Sequence, residues 1–198
     1  MATLATLVAV AGVANAVTFS NVSISAAPLS NFSSYWSSGN AISFFTPMAV
    51  VSDATAPMRT GNLTIQYDAD SSSMMVANVV GVALGTALQG SGTVAFTESI
   101  YNLDCNTNTV TGLIGFDSYT FVAGGPTVYS NTISLTQSTQ CIRVVKTFAL
   151  SALDTPVNDL AALAVVNQNI QTSPVPEPAT FAALGLGVVA VMRRRRKN

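Results

Sequence analysis

Histidine is absent from the 198 residues, and charge of either sign is scarce: eight Lys or Arg and nine Asp or Glu make up 9% of the chain, where a soluble domain ordinarily carries about 25%. Without imidazole there is no Ser-His or Cys-His nucleophile pair, no histidine metal site and no proton relay working near neutral pH. Cysteine, with two residues, and tryptophan, with one, are nearly as rare. The few basic residues are unevenly placed. Arg193, Arg194, Arg195, Arg196 and Lys197 crowd the C-terminal end, which leaves only Arg59, Arg143 and Lys146 before them. Between Val17 and Thr172 three basic residues face eight acidic ones, a formal charge of −5. The clustered cations that phosphate binding requires are missing there, so nucleic acid is not expected as a partner.

Length allows one domain of about 150 residues, enough to bury a core without metals or many crosslinks. Both ends of the chain read as targeting segments. Leu4 to Val13 is a short apolar run followed by Ala14-Asn15-Ala16, a small-x-small pattern that signal peptidase accepts, so residues 1–16 read as a secretory signal handled by the Sec machinery and cut after Ala16. The run is too short to span a bilayer.

The other end has three parts. Pro174, Pro176 and Pro178 alternate with Val175 and Glu177, and such spacing holds a chain extended and exposed. Ala179 to Met192 carries no charge and as a helix would be roughly 21 Å long, short of a ~30 Å hydrocarbon core. Snorkelling arginines and local thinning make up the difference. The basic cluster from Arg193 to Lys197 then holds the terminus on the cytoplasmic side, which places the domain outside the cytoplasm.

This tail, Val-Pro-Glu-Pro-Ala-Thr followed by an apolar helix and Arg-Arg-Arg-Arg-Lys, resembles the PEP-CTERM sorting signal of bacterial exported proteins. The resemblance covers Ser173 to Asn198. It implies that a transpeptidase-like integral membrane enzyme, an exosortase, recognises Val175, Pro176, Glu177 and Pro178 and processes the chain near them. It further implies a precursor anchored in the inner membrane, a mature protein at the cell surface or in an extracellular matrix, and a Gram-negative host that makes exopolysaccharide or biofilm. The organisation expected is therefore a signal peptide at 1–16, an ectodomain at 17–172 and a sorting tail at 173–198.

Within 17–172, apolar residues alternate with Ser, Thr or Asn, the period of half-buried strands. Ten short strands are predicted: Val17 to Ser25, Ala41 to Thr46, Gly61 to Tyr67, Met74 to Leu84, Gly92 to Tyr101, Val110 to Phe116, Tyr119 to Ala123, Thr132 to Thr136, Cys141 to Leu150 and Ala161 to Ile170, the last with a short helix over Asp159 to Val166 as alternative. Turn residues separate them, among them Ser37 to Asn40, Asp68 to Ser71, Gly90 to Gly92, Gly124 to Pro126 and Asp154 to Pro156. With no βαβ rhythm, the expectation is all-β: an antiparallel sandwich or jelly roll.

Candidate chemistry is thin. Cys105 and Cys141, exported to an oxidising compartment, are expected to form a disulfide. Asp68-Ala69-Asp70 with Ser71 to Ser73 gathers oxygen donors in a predicted turn, read as solvated before it is read as a calcium site. Asp104 and Asp117 are the carboxylates from which glycosidase-like chemistry would be built if they converged. Tyr35 and Trp36 lie in a Ser-rich stretch. Either Trp36 anchors the core, the preferred reading, or the two rings form an exposed platform that stacks on a sugar. No cofactor or metal is expected. The function read from sequence is a non-enzymatic surface or matrix protein, with a lectin-like carbohydrate-binding sandwich as the first alternative and a glycan-active hydrolase as the second.

Overall fold

The computed structural model of the chain describes residues 16–29, 33–47, 49–52, 58–153 and 158–173. The apolar run, Ala14-Asn15, the Asp154 to Pro156 turn and the sorting tail beyond Ser173 lie outside the described residues. Ala16 to Ser173 forms one compact unit. Among the described residues it has nine strands, β1 (Thr18–Ala27), β2 (Ser34–Ser38), β3 (Ala41–Phe45), β4 (Val50–Ser52), β5 (Thr60–Leu84), β6 (Thr93–Leu103), β7 (Val110–Val122), β8 (Val128–Ser151) and β9 (Leu160–Thr172). All pairings are antiparallel. Among the described residues no helix is long and apolar enough to cross a membrane; the tail segment assigned that role lies outside them.

Two strands, β5 and β8, are long enough to serve both layers of a sandwich. In its first half, Thr60 to Asp70, β5 pairs with β1 on one side and with Cys141 to Ser151 of β8 on the other, and β6 and β7 extend that sheet. In its second half β5 pairs with β9 and with Val128 to Thr139 of β8, and β3 and β2 extend that sheet beyond β9, while β4 lies against the start of β9. The register of β5 against β8 shifts between Asp70 and Met75, so extra residues on one strand bend it from one layer into the other. Asp68 to Ser71, predicted as a turn, therefore lies inside a continuous strand. Small polar residues signal a break in alternation, and here the break is a bulge. For the same reason the predicted pairs Gly61 to Tyr67 with Met74 to Leu84, and Thr132 to Thr136 with Cys141 to Leu150, are each one strand. Val110 to Phe116 and Tyr119 to Ala123 likewise merge into β7. The segment from Asp159 is a strand, β9, and not a helix.

The layers meet through aromatic rings. Phe44 of β3 stacks on Tyr67 of β5 at 5.7 Å and Tyr129 of β8 on Tyr119 of β7 at 4.2 Å, while Phe96 and Phe148, paired neighbours on β6 and β8 within one layer, stack at 5.1 Å. Around them pack Ile42, Leu63, Ile65, Val80, Ile100, Val144 and Val166, all essentially without solvent contact. Gly39, with φ at 57°, supplies the left-handed position that turns β2 into β3.

Candidate functional site

Parity along β3 sets out the main surface feature. Ile42 and Phe44 point into the core, so Ala41, Ser43 and Phe45 face outward. Register carries this outer face across five strands. Trp36 of β2 lies opposite Ser43, which lies opposite Asn167 of β9, then Gly81 of β5, then Ser130 of β8. A parallel row runs Ser38, Ala41, Asn169, Val79, Thr132 and another Ser34, Phe45, Val165, Ala83, Val128. None of these fifteen residues is charged. Ala41, Ser43, Val79, Gly81, Ser130, Asn167 and Asn169 line a groove of about 480 Å3. Gly81 keeps the middle of its floor low, because a glycine contributes no side chain.

Trp36 stands at the β2 end of this groove with 62% of its surface exposed, and Tyr35 beside it with 51%. The preferred expectation that Trp36 anchors the core is thereby overturned. The physical reason is that β2 is an edge strand with every residue exposed, and the pleat puts Trp36 on the side of the sheet away from Phe44. Tyr35 points the other way, toward Phe44, with ring centroids 6.1 Å apart. The two rings therefore lie on opposite faces of β2 and do not form one platform.

The other residues singled out in the sequence are dispersed. Cys105 and Cys141 are joined by a disulfide that ties the turn after β6 to β8, with Cα atoms 5.6 Å apart. Asp104 caps that turn by accepting hydrogen bonds from the backbone N–H groups of Asn106 at 2.8 Å and Thr107 at 2.9 Å, and these bonds hold its carboxyl below the usual range. Asp117 lies opposite Glu98, six residues and about 20 Å of strand from Asp104, and faces the interior, where the Tyr129 hydroxyl donates to both of its oxygens at 2.9 and 3.0 Å. The Asp104 and Asp117 pair required for a glycosidase-like site is not formed. Asp68, assigned to a solvated turn, is buried and gripped by Arg143.

Sequence reading missed a charged cluster inside the sandwich. Lys146 Nζ lies 2.7 Å from Glu98 Oε2, and both side chains are entirely buried. Across the interior, Asn78 of β5 donates its amide Nδ2–H to Glu98 Oε1 at 2.6 Å. Phe96 presents its ring to the ammonium at 5.7 Å. Burial depresses the pKa of Lys146 against the pull of Glu98 and Asp117, and burial together with the charge of Glu98 pushes the Tyr67 hydroxyl well above its ordinary value. The signal was present in the sequence: Ile142, Val144, Lys146, Phe148 and Leu150 share one parity, as do Val94, Phe96, Glu98 and Ile100.

The fold and these surfaces define an antiparallel β-sandwich with an uncharged, aromatic-flanked groove on one outer face. The chain carries, at residues 174–197, the PEP-CTERM protein-sorting motif, the signal of exported proteins processed by an exosortase. No curated protein matches it. Among solved structures, the domain is similar to TmCBM61 in complex with beta-1,4-galactotriose, at 8% identity over 77% of this chain and 90% of that one, with a TM-score of 0.36. It is also similar to the family 11 carbohydrate-binding module of Clostridium thermocellum in complex with a beta-1,3-1,4-mixed-linked tetrasaccharide, at 12% identity over 80% and 88%, with a TM-score of 0.29. A third likeness, at 10% identity and a TM-score of 0.36, is to the enzymatically active domain of tailspike protein 4 of bacteriophage CBA120, of which this chain covers 20%.

Proposed function

We propose that residues 17–172 form a non-enzymatic carbohydrate-binding domain that holds neutral polysaccharide of the cell surface or extracellular matrix after an inner-membrane-anchored precursor has been processed at its tail. The observation that carries this reading is Trp36, exposed at the end of an uncharged groove. An indole face complements the C–H surface of a pyranose ring, and Ser43, Asn167, Asn169 and Ser130 offer hydroxyl and amide groups that both donate and accept hydrogen bonds. A shallow groove open across several strands suits an extended glycan. With no cation or carboxylate in the three rows, uncharged sugars are favoured over uronates or sulfated chains.

Trp36 is the sole tryptophan, so intrinsic fluorescence reports directly on the groove. Titration with neutral polysaccharides such as β-glucans and galactans is expected to shift or quench its emission with saturation, while polyuronate does not. Trp36→Ala should weaken binding measured by calorimetry at least about tenfold, equivalent to ~1.4 kcal/mol, with an unchanged melt. Binding that survives this substitution would place the sugar away from Trp36, and no response to any neutral glycan would leave the domain a structural matrix protein.

A further inference from the structure

We propose that the side chains of Lys146 and Asn78 become joined by an amide bond inside the sandwich, with Glu98 as the catalytic proton carrier. The geometry brings amine, amide and carboxylate together: Lys146 Nζ and Asn78 Nδ2 lie 2.7 and 2.6 Å from the two oxygens of one carboxylate. They reach it from different places. Lys146 and Glu98 occupy directly paired positions of β8 and β6, whereas Asn78 belongs to the second half of β5, in the facing sheet. Lys146, Glu98 and Asn78 are fully enclosed, at 0% exposure, so water is kept from the amide, and Asn78 Oδ1 is buried without a hydrogen-bond partner among the described residues.

The chemistry balances without any external reagent. Lys146 first gives a proton to Glu98, and burial, which lowers the affinity of the amine for that proton, favours the transfer. The neutral amine then attacks Cγ of Asn78. Glu98 delivers its proton to Nδ2 and accepts one from Nζ, the Cγ–Nδ2 bond breaks, and one molecule of ammonia leaves. A new Nζ–Cγ amide remains beside a neutral Glu98 carboxyl. The driving force is physical: a buried ion pair is a poor contributor to stability because both partners are stripped of water, and the reaction replaces both charges with neutral, hydrogen-bonding groups. The product is a covalent tie between the two layers of the sandwich, independent of the disulfide and insensitive to reductant.

Peptide mapping of the full chain recovered after export tests this directly. The protein is denatured, reduced so that Cys105 and Cys141 separate, and cut after aromatic residues. The expected result is a linked peptide pair containing Asn78 and Lys146, lighter than the sum of its parts by the mass of one ammonia. Recovery of the two peptides separately, each at its unmodified mass, would overturn the proposal. Glu98→Gln, checked for β-sheet content by circular dichroism, is expected to leave the two peptides unlinked. Linkage undiminished in a folded Glu98→Gln protein would remove Glu98 from the reaction, and if that variant does not fold the wild-type map still decides.

Discussion

Arg143 grips Asp68 with a two-pronged hydrogen bond, Nε to Oδ1 at 2.7 Å and Nη2 to Oδ2 at 2.8 Å, across directly paired positions of β8 and β5. Asn21, at the left-handed bulge of β1 with φ at 49°, adds its amide to Oδ2 at 2.7 Å. Three strands are thereby clasped beside the bend where β5 changes sheets. Burial alone would raise the pKa of Asp68, but the hydrogen bonds from Arg143 and Asn21 and the charge of Arg143 outweigh it and hold the carboxyl below its usual range. A depressed carboxylate contributes stability that is complete above its unfolded pKa of about 3.9 and is lost as pH falls through the folded value. Thermal melts of the wild type are therefore expected to drop more steeply below about pH 4 than those of Asp68→Asn. At neutral pH the substitution should cost about 1–3 kcal/mol. Parallel pH profiles in the two proteins would show that the clasp carries no proton-linked stability.

The disulfide is the second stability prediction. Cys105 and Cys141 are 36 positions apart, and opening a loop of that length frees denatured-state entropy worth about 3–4 kcal/mol. Denaturant melts with and without reductant should differ by about that amount. Superimposable curves, after alkylation has confirmed two free thiols, would mean that the sandwich gains nothing from the bond.

Gly81 offers a way to block the groove without disturbing the core. A Cβ placed there meets only the Cβ of Asn167, at 3.7 Å, an ordinary contact. Gly81→Val, a good strand former on an outer face, should leave stability within about 0.5 kcal/mol and weaken glycan binding as strongly as Trp36→Ala does. Retained affinity in a protein with an unchanged melt would place the sugar elsewhere.

Processing of the tail is open to a mass measurement on protein from the cell surface and the medium. Glu177→Ala is expected to leave export intact while the mature form keeps Arg193 to Asn198. The wild type is expected to begin at Val17 and end near Pro178. Equal processing of the two proteins would separate the Pro-Glu-Pro motif from the reaction.

Much of this fold was legible because period-two alternation fixes which side of a strand is apolar, whatever the partner strand turns out to be. The alternating Val, Ile and Phe positions of β6 and β8 declared themselves in this way, and so did the all-β class. What local pattern could not convey is continuity. Asp68 to Ser73 has the composition of a turn, and only pairing with β8 on one side of it and β9 on the other turns it into the bend of one long strand. Lys146 and Glu98 show the complementary failure: their parity marked them as inward, but a prior that sends charge outward masked it, and their partnership depends on the β6–β8 register.

The sequence by itself determined where the protein is sent, because the sorting motif, the apolar segment and the basic cluster are contiguous and read by composition and order. It likewise determined the strand class and the exclusion of histidine chemistry. Only the tertiary structure decided that Trp36 stands in solvent beside Ser43 and Asn167, that Asp104 and Asp117 do not meet, and that Lys146, Glu98 and Asn78 do. Each of these depends on strands distant in sequence lying side by side or face to face, and register across a sheet is set by the packing of the whole core, which no single segment encodes.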